Sequence, residues 1–448
     1  MNVAGFQHLL MRCADTLDGR ENLSADPQVR SLLTALDYAN GTPAPGDIEH
    51  RVRMLRAAAT FTRLFRLPAA AAPGMAFFGA EVDPSTLPSA ASDLRPMSAS
   101  GAGLSFRAAF EACVGEGVEL LSQCALIDDA FTSAILGAQA PSLDPAILQA
   151  TQRLLGATGM DEATPIDWIG GTRARDGEPT LLPADLCLRR GSAARLPVDS
   201  PLSIGCAAAV SHSEAVLHGL LELIERDAAA LWWRGGRRGR LVPADSPVAQ
   251  PALSLLGAIR HGTAGRRTWL LDITTDLAVP VIAALSVDAA GAGFACGVAA
   301  HLTMAQAAEA AIRELSQMEL AHEIVAAKRN EGGDAALNDA DRAHLRRAHD
   351  LDVETCVLLH PLPPREPVPD IVAEDAAEGA RKVTGRLLDH GIETFLLDLT
   401  RSRFGIPVVR VICPGLEKEP SRLIGSRLQS TIAHTGGVTD DGTHIPLM

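Results

Sequence analysis

The chain has 448 residues, with 40 Lys and Arg against 54 Asp and Glu and a formal charge of −14. Hydrophobic residues make up 47% and charged residues 21%, enough apolar material for a substantial core and too little charge density for disorder. The acid excess excludes a nucleic-acid or anionic-membrane surface as the main partner, since both need clustered Lys and Arg, but not an anionic ligand whose charge a metal carries.

Residues 1–67 read as a helical region, with apolar positions at helical spacing in Val29, Leu32, Leu33 and Leu36 and again in Val52, Leu55, Phe61, Leu64 and Phe65. The run Asn40-Gly41-Thr42-Pro43-Ala44-Pro45-Gly46 breaks it in two. From Leu67 to Ser100 a low-charge stretch rich in Pro, Ala, Gly and Ser reads either as a domain boundary or as a long surface loop. Short β-branched apolar pieces at Thr268–Ile273, Val279–Val287, Thr394–Leu399 and Ile406–Ile412 predict strands. The polar, glycine-interrupted residues 326–350 read as a solvated excursion. The eight cysteines are scattered with no C-x-x-C pair, which argues against disulfides and structural zinc. No apolar run reaches the ~18 residues of a spanning helix and the N-terminus lacks a signal-peptide pattern, so a reducing cytoplasm is the expected compartment.

Three segments align without gaps when registered on a hydroxyl residue. They run from Ser105 through Ala109 and Glu116 to Glu119, from Ser211 through Ala215 and Glu222 to Glu225, and from Thr303 through Ala307 and Glu314 to Gln317. Each has an alanine four residues on, a glutamate eleven on, and Glu, Glu or Gln fourteen on. Glycines precede each: Gly101 and Gly103, Gly205, and Gly291, Gly293 and Gly297. The pattern predicts a strand or loop, an N-cap and a helix of about four turns, used three times. Small residues at Ala112/Cys113, Gly219 and Ala310/Ala311 permit close helix packing.

Positions i and i+3 share a helix face, so each unit points two oxygen-bearing side chains the same way. Five carboxylates and one amide converge if the helices do, and such a cluster needs a compensating charge. An all-oxygen set without His or Cys favours Mg²⁺, which bridges carboxylates to phosphates and so points to a nucleoside triphosphate. The competing arrangement is a set of internal Arg–Glu pairs, with Arg226 and Arg313 as the cations. No P-loop, kinase glycine loop or dinucleotide fingerprint is present.

The stretch from Ser203 through Gly205, Ser211, Glu214, Glu222, Glu225, Arg226 and Asp227 to Ala228, followed by Trp232-Trp233, resembles the YcaO family of ATP-dependent enzymes that activate peptide backbone amides. Leu271-Asp272-Ile273-Thr274 with Val279-Pro280-Val281, and Asp398-Leu399-Thr400 with Pro407-Val408-Val409-Arg410-Val411 and Pro414-Gly415-Leu416-Glu417, are similar to its later motifs. The likeness runs from about Ser98 to Leu416.

The resemblance implies an α+β, YcaO-like fold of three strand/helix units around a central nucleotide site, with a catalytic domain at 98–448 beyond the N-terminal helical region. It also implies ATP and Mg²⁺ as cofactors. Metal ligands carried over are Glu116, Glu119, Glu222, Glu225, Glu314 and Gln317; nucleotide contacts are Ser105, Ser211, Glu214, Arg226 and Arg410. The capping hydroxyls have an equally good role as plain N-caps.

Two positions depart from the family pattern. Gly101-Ala102-Gly103 stands where many members have Gly-Lys-Gly, and Ala310 stands where many have Arg, with Arg313 on another face.

The implied reaction gives an azoline from a substrate Cys, Ser or Thr, or a thioamide from external sulfide. The C-terminus, His444-Ile445-Pro446-Leu447-Met448, has one proline rather than the proline-rich tail of many azoline formers, which favours the thioamide-forming type that works with a TfuA-like partner. Expected partners are a peptide or protein substrate, a separate TfuA-like or E1-like protein, and a second copy of the chain in a homodimer; no nucleic acid and no membrane is expected. The alternative function is a catalytically silent nucleotide-binding scaffold that regulates another enzyme. His212, His218 and His301 read as packing residues, and Cys206 and Cys296 as small buried fillers.

Overall fold

The computed structural model describes residues 3–22, 25–39, 45–88, 93–139, 143–196, 201–262, 265–437 and 447. Helices α1 (Val3–Leu17), α2 (Pro27–Ala35) and α3 (Pro45–Ala58) open the chain. Asp26 starts α2 by accepting the Gln28 and Val29 N–H groups, with Pro27 at the first helical position. The helical reading to residue 67 is corrected at its end, because Arg63–Leu67 is a strand, β1. It pairs antiparallel with β2 (Ala76–Val82), and that partner supplies backbone hydrogen bonds which local periodicity does not reveal. The low-charge stretch after Leu67 is structured too, since it carries β2 and part of β3 (Met97–Gly103) in a three-stranded sheet of order β1-β2-β3.

Next come α4 (Phe106–Ser122), β4 (Phe131–Ala134), α5 (Leu136–Gln139), α6 (Pro145–Thr158), β5 (Ile166–Arg173), β6 (Pro179–Pro183), β7 (Cys206–Ala208) and α7 (His212–Trp233). They are followed by β8 (Arg240–Leu241), α8 (Ala249–Ile259), β9 (Arg266–Asp272), β10 (Val281–Asp288), β11 (Ala295–Ala300) and α9 (Met304–Gly332). The described chain closes with α10 (Asp339–Asp350), α11 (Ala376–Asp389), β12 (Phe395–Asp398), β13 (Val408–Ile412) and α12 (Ser426–Thr435). The four predicted strands correspond to β9, β10, β12 and β13. Residues 326–350 are largely exposed, as expected of a solvated excursion, and are regular as well: they form the end of α9 and the whole of α10. Gly333, at φ 65°, ends the first helix, and a reciprocal Asn338–Asp341 capping box starts the second.

The fold is α+β, with β11-β10-β9-β8 and β4-β5-β12-β13-β7 as the other sheets and β6 on β5. All pairings within the sheets are antiparallel. Leu10, Leu55 and Phe61 of the N-terminal region lie in the same buried cluster as Phe110, Val118 and Trp168. Each repeat unit is a strand leading into a helix: β3 into α4, β7 into α7 and β11 into α9. In every unit the strand is the last of its sheet, so the three units bring three sheet edges together.

Glycine makes that approach possible. A Cβ on Gly101 would lie 2.1 Å from the Cys113 nitrogen, and one on Gly297 2.2 Å from the Leu315 nitrogen, so the strand backbone touches the helix backbone at both places. Gly297→Ala should therefore lower the unfolding free energy by about 2–3 kcal/mol. Gly385→Ala, on α11 with open space around it, should leave stability unchanged or raise it by up to ~1 kcal/mol. Denaturant titration of both variants checks this, and equal stabilities would contradict the packing account.

Candidate functional site

Each helix begins the same way. Ser105 accepts the Ala108 N–H at 3.1 Å, Ser211 the Glu214 N–H at 3.2 Å and Thr303 the Gln306 N–H at 3.2 Å. Their backbone angles nearly coincide, with φ −138°, −131° and −125°. Ser105 and Ser211 thus serve as N-caps, and Glu214 sits half-buried in the first turn of α7.

The glutamates eleven residues past the caps reach back to their own strands. Glu116 accepts the Ser100 N–H at 2.7 Å, Glu222 the Gly205 N–H at 2.9 Å and Glu314 the Val298 N–H at 3.2 Å. Gly205, at φ 81°, also presents its carbonyl to the Val411 N–H at 2.6 Å, a conformation that favours glycine. The glutamates fourteen past the caps reach the strand of the next unit. Glu119 accepts the Ala208 N–H at 3.3 Å, and Glu225 the Ala300 N–H. The ring closes where α9, which carries Gln317, packs against β3. The three units therefore interlock head to tail around one centre.

In each of Glu116, Glu119, Glu222 and Glu314 one carboxylate oxygen, Oε2, takes the backbone N–H. Arg226 lies among them, with Nη2 3.5 Å from Glu222 Oε1 and Nε 3.6 Å from Glu225 Oε1. Arg313 pairs instead with Glu309 at 3.1 Å on the outer side of α9, so of the two cations proposed for internal pairing only Arg226 serves the cluster. Arg410 is buried. Its Nη1 donates to the Leu202 carbonyl and its Nη2 to the Leu186 carbonyl at 2.9 Å, while its charge acts on Glu119 from behind.

Burial pushes the Glu119 and Glu225 carboxyls well above the usual carboxylate range, reinforced by Glu222 at the first and Glu314 at the second. Glu116 is raised for the same first reason, and Glu314 is raised to about 7 by burial. Fully ionised, the cluster thus holds more negative charge than Arg226 and Arg410 offset. Among the described residues no three His, Cys, Asp or Glu side chains stand ready to hold a metal by themselves. Mg²⁺ fits this arrangement, because it binds through one or two carboxylates and completes its shell with phosphate oxygens and water.

Sequence reasoning missed two supporting groups. Asp227, next to Arg226, is fully buried, accepts the Glu417 N–H at 3.0 Å and pairs with Arg427 at 2.9 Å, which ties the Pro414–Glu417 segment and α12 to α7. His50 of α3 is held below the usual imidazole range chiefly by burial, with Glu111 and, more weakly, Glu214 opposing; Asp227 stands in the family-like stretch, but its partner Arg427 is 200 residues away, and no local pattern signals His50. His301 is held neutral chiefly by burial, and all eight cysteines are free thiols.

A carboxyl whose pKa is higher in the folded protein binds its proton more tightly there. Folding stability then falls as pH rises from the unfolded pKa to the folded one and is level above it. For Glu314 that window runs from 4.5 to about 7. Buried His322 and His344, pushed down to about 4, act in the opposite sense over part of the same range, so the informative quantity is a difference between variants. In metal-free protein Glu314→Gln should gain about 2–3 kcal/mol more stability over wild type at pH ~7.5 than at pH ~5. A gain independent of pH would contradict the assigned burial.

The chain is 30% identical over 284 residues to a protein from the tfuA 3′ region of Rhizobium leguminosarum bv. trifolii, a match covering 60% of this chain and 66% of that one. A heterocyclase solved in complex with substrate and cofactor shares its fold at TM-score 0.66 and 24% identity, over 86% of this chain and 55% of that one. YcaO from Methanopyrus kandleri, solved with AMPPCP and Mg²⁺, does so at 0.59 and 16%, over 91% and 95%. This chain therefore spans just under two thirds of the rhizobial relative and about half of the heterocyclase. The YcaO cyclodehydratase family, described as ATP- and Mg²⁺-binding, matches residues 100–417; that span contains all three glutamate-bearing helices, and the chain belongs to the YcaO family.

Proposed function

We propose that this chain uses ATP and Mg²⁺ to activate a backbone amide by O-phosphorylation in the maturation of a ribosomally made peptide or a protein. The carrying observation is the convergence of five glutamates from three helices on one centre, with the carboxyls of Glu116, Glu119, Glu225 and Glu314 raised by burial and by neighbouring carboxylates. A divalent cation with a triphosphate supplies the missing positive charge and the phosphoryl group that turns an amide oxygen into a leaving group. Glu116, Glu119, Glu222, Glu225, Glu314 and Gln317 are the assigned metal ligands. Ser105, Ser211, Glu214 and Arg410 stand as weaker nucleotide contacts.

The chain's own residues fix the geometry. Backbone N–H groups of the three strands hold Glu116, Glu119, Glu222, Glu225 and Glu314 in place, so the ligands are oriented before anything binds. Arg226 lies between Glu222 and Glu225 and limits their repulsion. Ala102 and Ala310 offer no cation at the two departing positions, and Arg313 is committed to Glu309. Charge for the phosphates then rests on the metal and Arg226, with Arg410 the weaker contact.

The rhizobial relative's place in the tfuA 3′ region favours a TfuA-like partner and, with it, thioamide rather than azoline formation. A peptide substrate and a second copy of the chain complete the proposed assembly. The missing cations are also what a silent scaffold would show, and one assay separates the two readings. Phosphate release from ATP and Mg²⁺, with a candidate peptide and TfuA-like partner present, should fall about 100-fold or more in Glu222→Gln and Glu225→Gln and change less than about twofold in Glu309→Gln, which breaks only the half-exposed pair with Arg313. Release that is unchanged in the first two variants overturns the site, and no release in wild type favours the scaffold.

A further inference from the structure

A second site lies behind β13. A cavity of about 130 Å³ is walled by Ile147 and Leu154 of α6, Leu223 of α7 and Leu416, and three cations line it, Arg410 and Lys418 with the exposed Arg153. None of the five clustered glutamates lines it. Its volume approaches the ~150 Å³ at which an apolar cavity takes up benzene.

The charges here do not balance. Arg410 is buried, and its Nε has no hydrogen-bond partner although both terminal nitrogens are used. Lys418 makes no hydrogen bond or ion pair with any described residue. Its neighbours are Arg410 from β13 and the neutral thiols Cys187 and Cys413, and burial followed by Arg410 pushes its amine down to about 8. Glu417, the one acid in the lining, is already occupied, accepting the Gly425 N–H at 2.9 Å and the Leu428 N–H at 3.0 Å. Arg153 at the α6 rim adds a further positive charge. A buried cation is ordinarily paired; among the described residues, on the cavity side Lys418 has no acid beside it and Arg410 keeps a buried Nε without an acceptor, its only acidic neighbour being Glu119 on the other face of the strand.

We infer that the cavity binds a small carboxylate with a branched aliphatic body, its carboxylate on Lys418 and Arg410 and its carbon chain against Ile147, Leu154 and Leu416. The aliphatic walls disfavour a bare phosphate, which would leave them uncovered, and the volume limits the apolar body to a handful of carbon atoms. A free short-chain acid and the C-terminal residue of a polypeptide both present this chemistry.

Calorimetric titration of the full chain without ATP or Mg²⁺ tests the inference independently of the amide-activating reading. With 3-methylbutanoate as probe, wild type should bind, and 3-methylbutanamide and inorganic phosphate should bind at least tenfold more weakly. Lys418→Met should weaken the acid at least tenfold while leaving the amide unchanged, and Leu154→Trp, which fills the cavity, should abolish both. A pentapeptide ending in Val with a free carboxylate, compared with its amidated form, identifies a chain terminus as the source if the free form binds more tightly than 3-methylbutanoate. Failure of the wild-type chain to bind the acid, or equal affinity for acid and amide, overturns the inference with no variant needed.

Discussion

The structure depends on one recurring interaction, a glutamate oxygen that accepts a backbone N–H from the edge of a β-sheet. Edge strands expose donors that must be satisfied, and many proteins cover them with another strand or with solvent-facing charge. Here β3, β7 and β11 all end their sheets, and Glu116, Glu222 and Glu314 receive N–H groups in or beside them. Glu119 and Glu225 extend the same bond to the following unit. The interaction that ends each sheet also joins the three units, so the carboxylates are structural acceptors before they are ligands.

This double duty has an electrostatic consequence. An N–H bond stabilises a carboxylate, yet burial and the neighbouring carboxylates outweigh it and leave Glu116, Glu119, Glu225 and Glu314 raised. The apo protein therefore holds protons on several of these carboxyls at a buried centre in an otherwise well-packed fold. Binding a cation there relieves a stored cost, which is how a chain with a formal charge of −14 can hold a triphosphate. Asp227 reinforces the centre from beneath, because its pair with Arg427 fixes α7 against α12.

What the sequence revealed follows the range of each interaction. The caps at Ser105, Ser211 and Thr303 and the glutamates eleven residues on belong to single helices, and their spacing alone places them. The bond from Glu119 to Ala208 spans 89 residues and crosses units, so no local pattern carries it. Strand β1 was hidden for the same reason: Leu64 and Phe65 continue a helical spacing, and only pairing with β2 makes them extended. At residues 326–350 polarity gave the solvent exposure but not the helices, whose exposed faces it reflects. Arg410 was legible as a cation in an apolar strand, but not the face it takes, where its terminal nitrogens hold the carbonyls of Leu186 and Leu202. Of the C-terminal tail, His444–Met448, all but Leu447 lies outside the described residues.

The central claim is that the converging glutamates are completed by a magnesium–nucleotide rather than by internal pairing. Calorimetric binding of a non-hydrolysable ATP analogue at pH ~6.5, in two buffers of different ionisation enthalpy and with Mg²⁺ or EDTA, tests it most directly. Raised carboxyls must ionise to ligate a cation, so the account predicts binding that requires Mg²⁺ and releases protons to the buffer. Equal affinity in EDTA, or binding with no proton release, would contradict it.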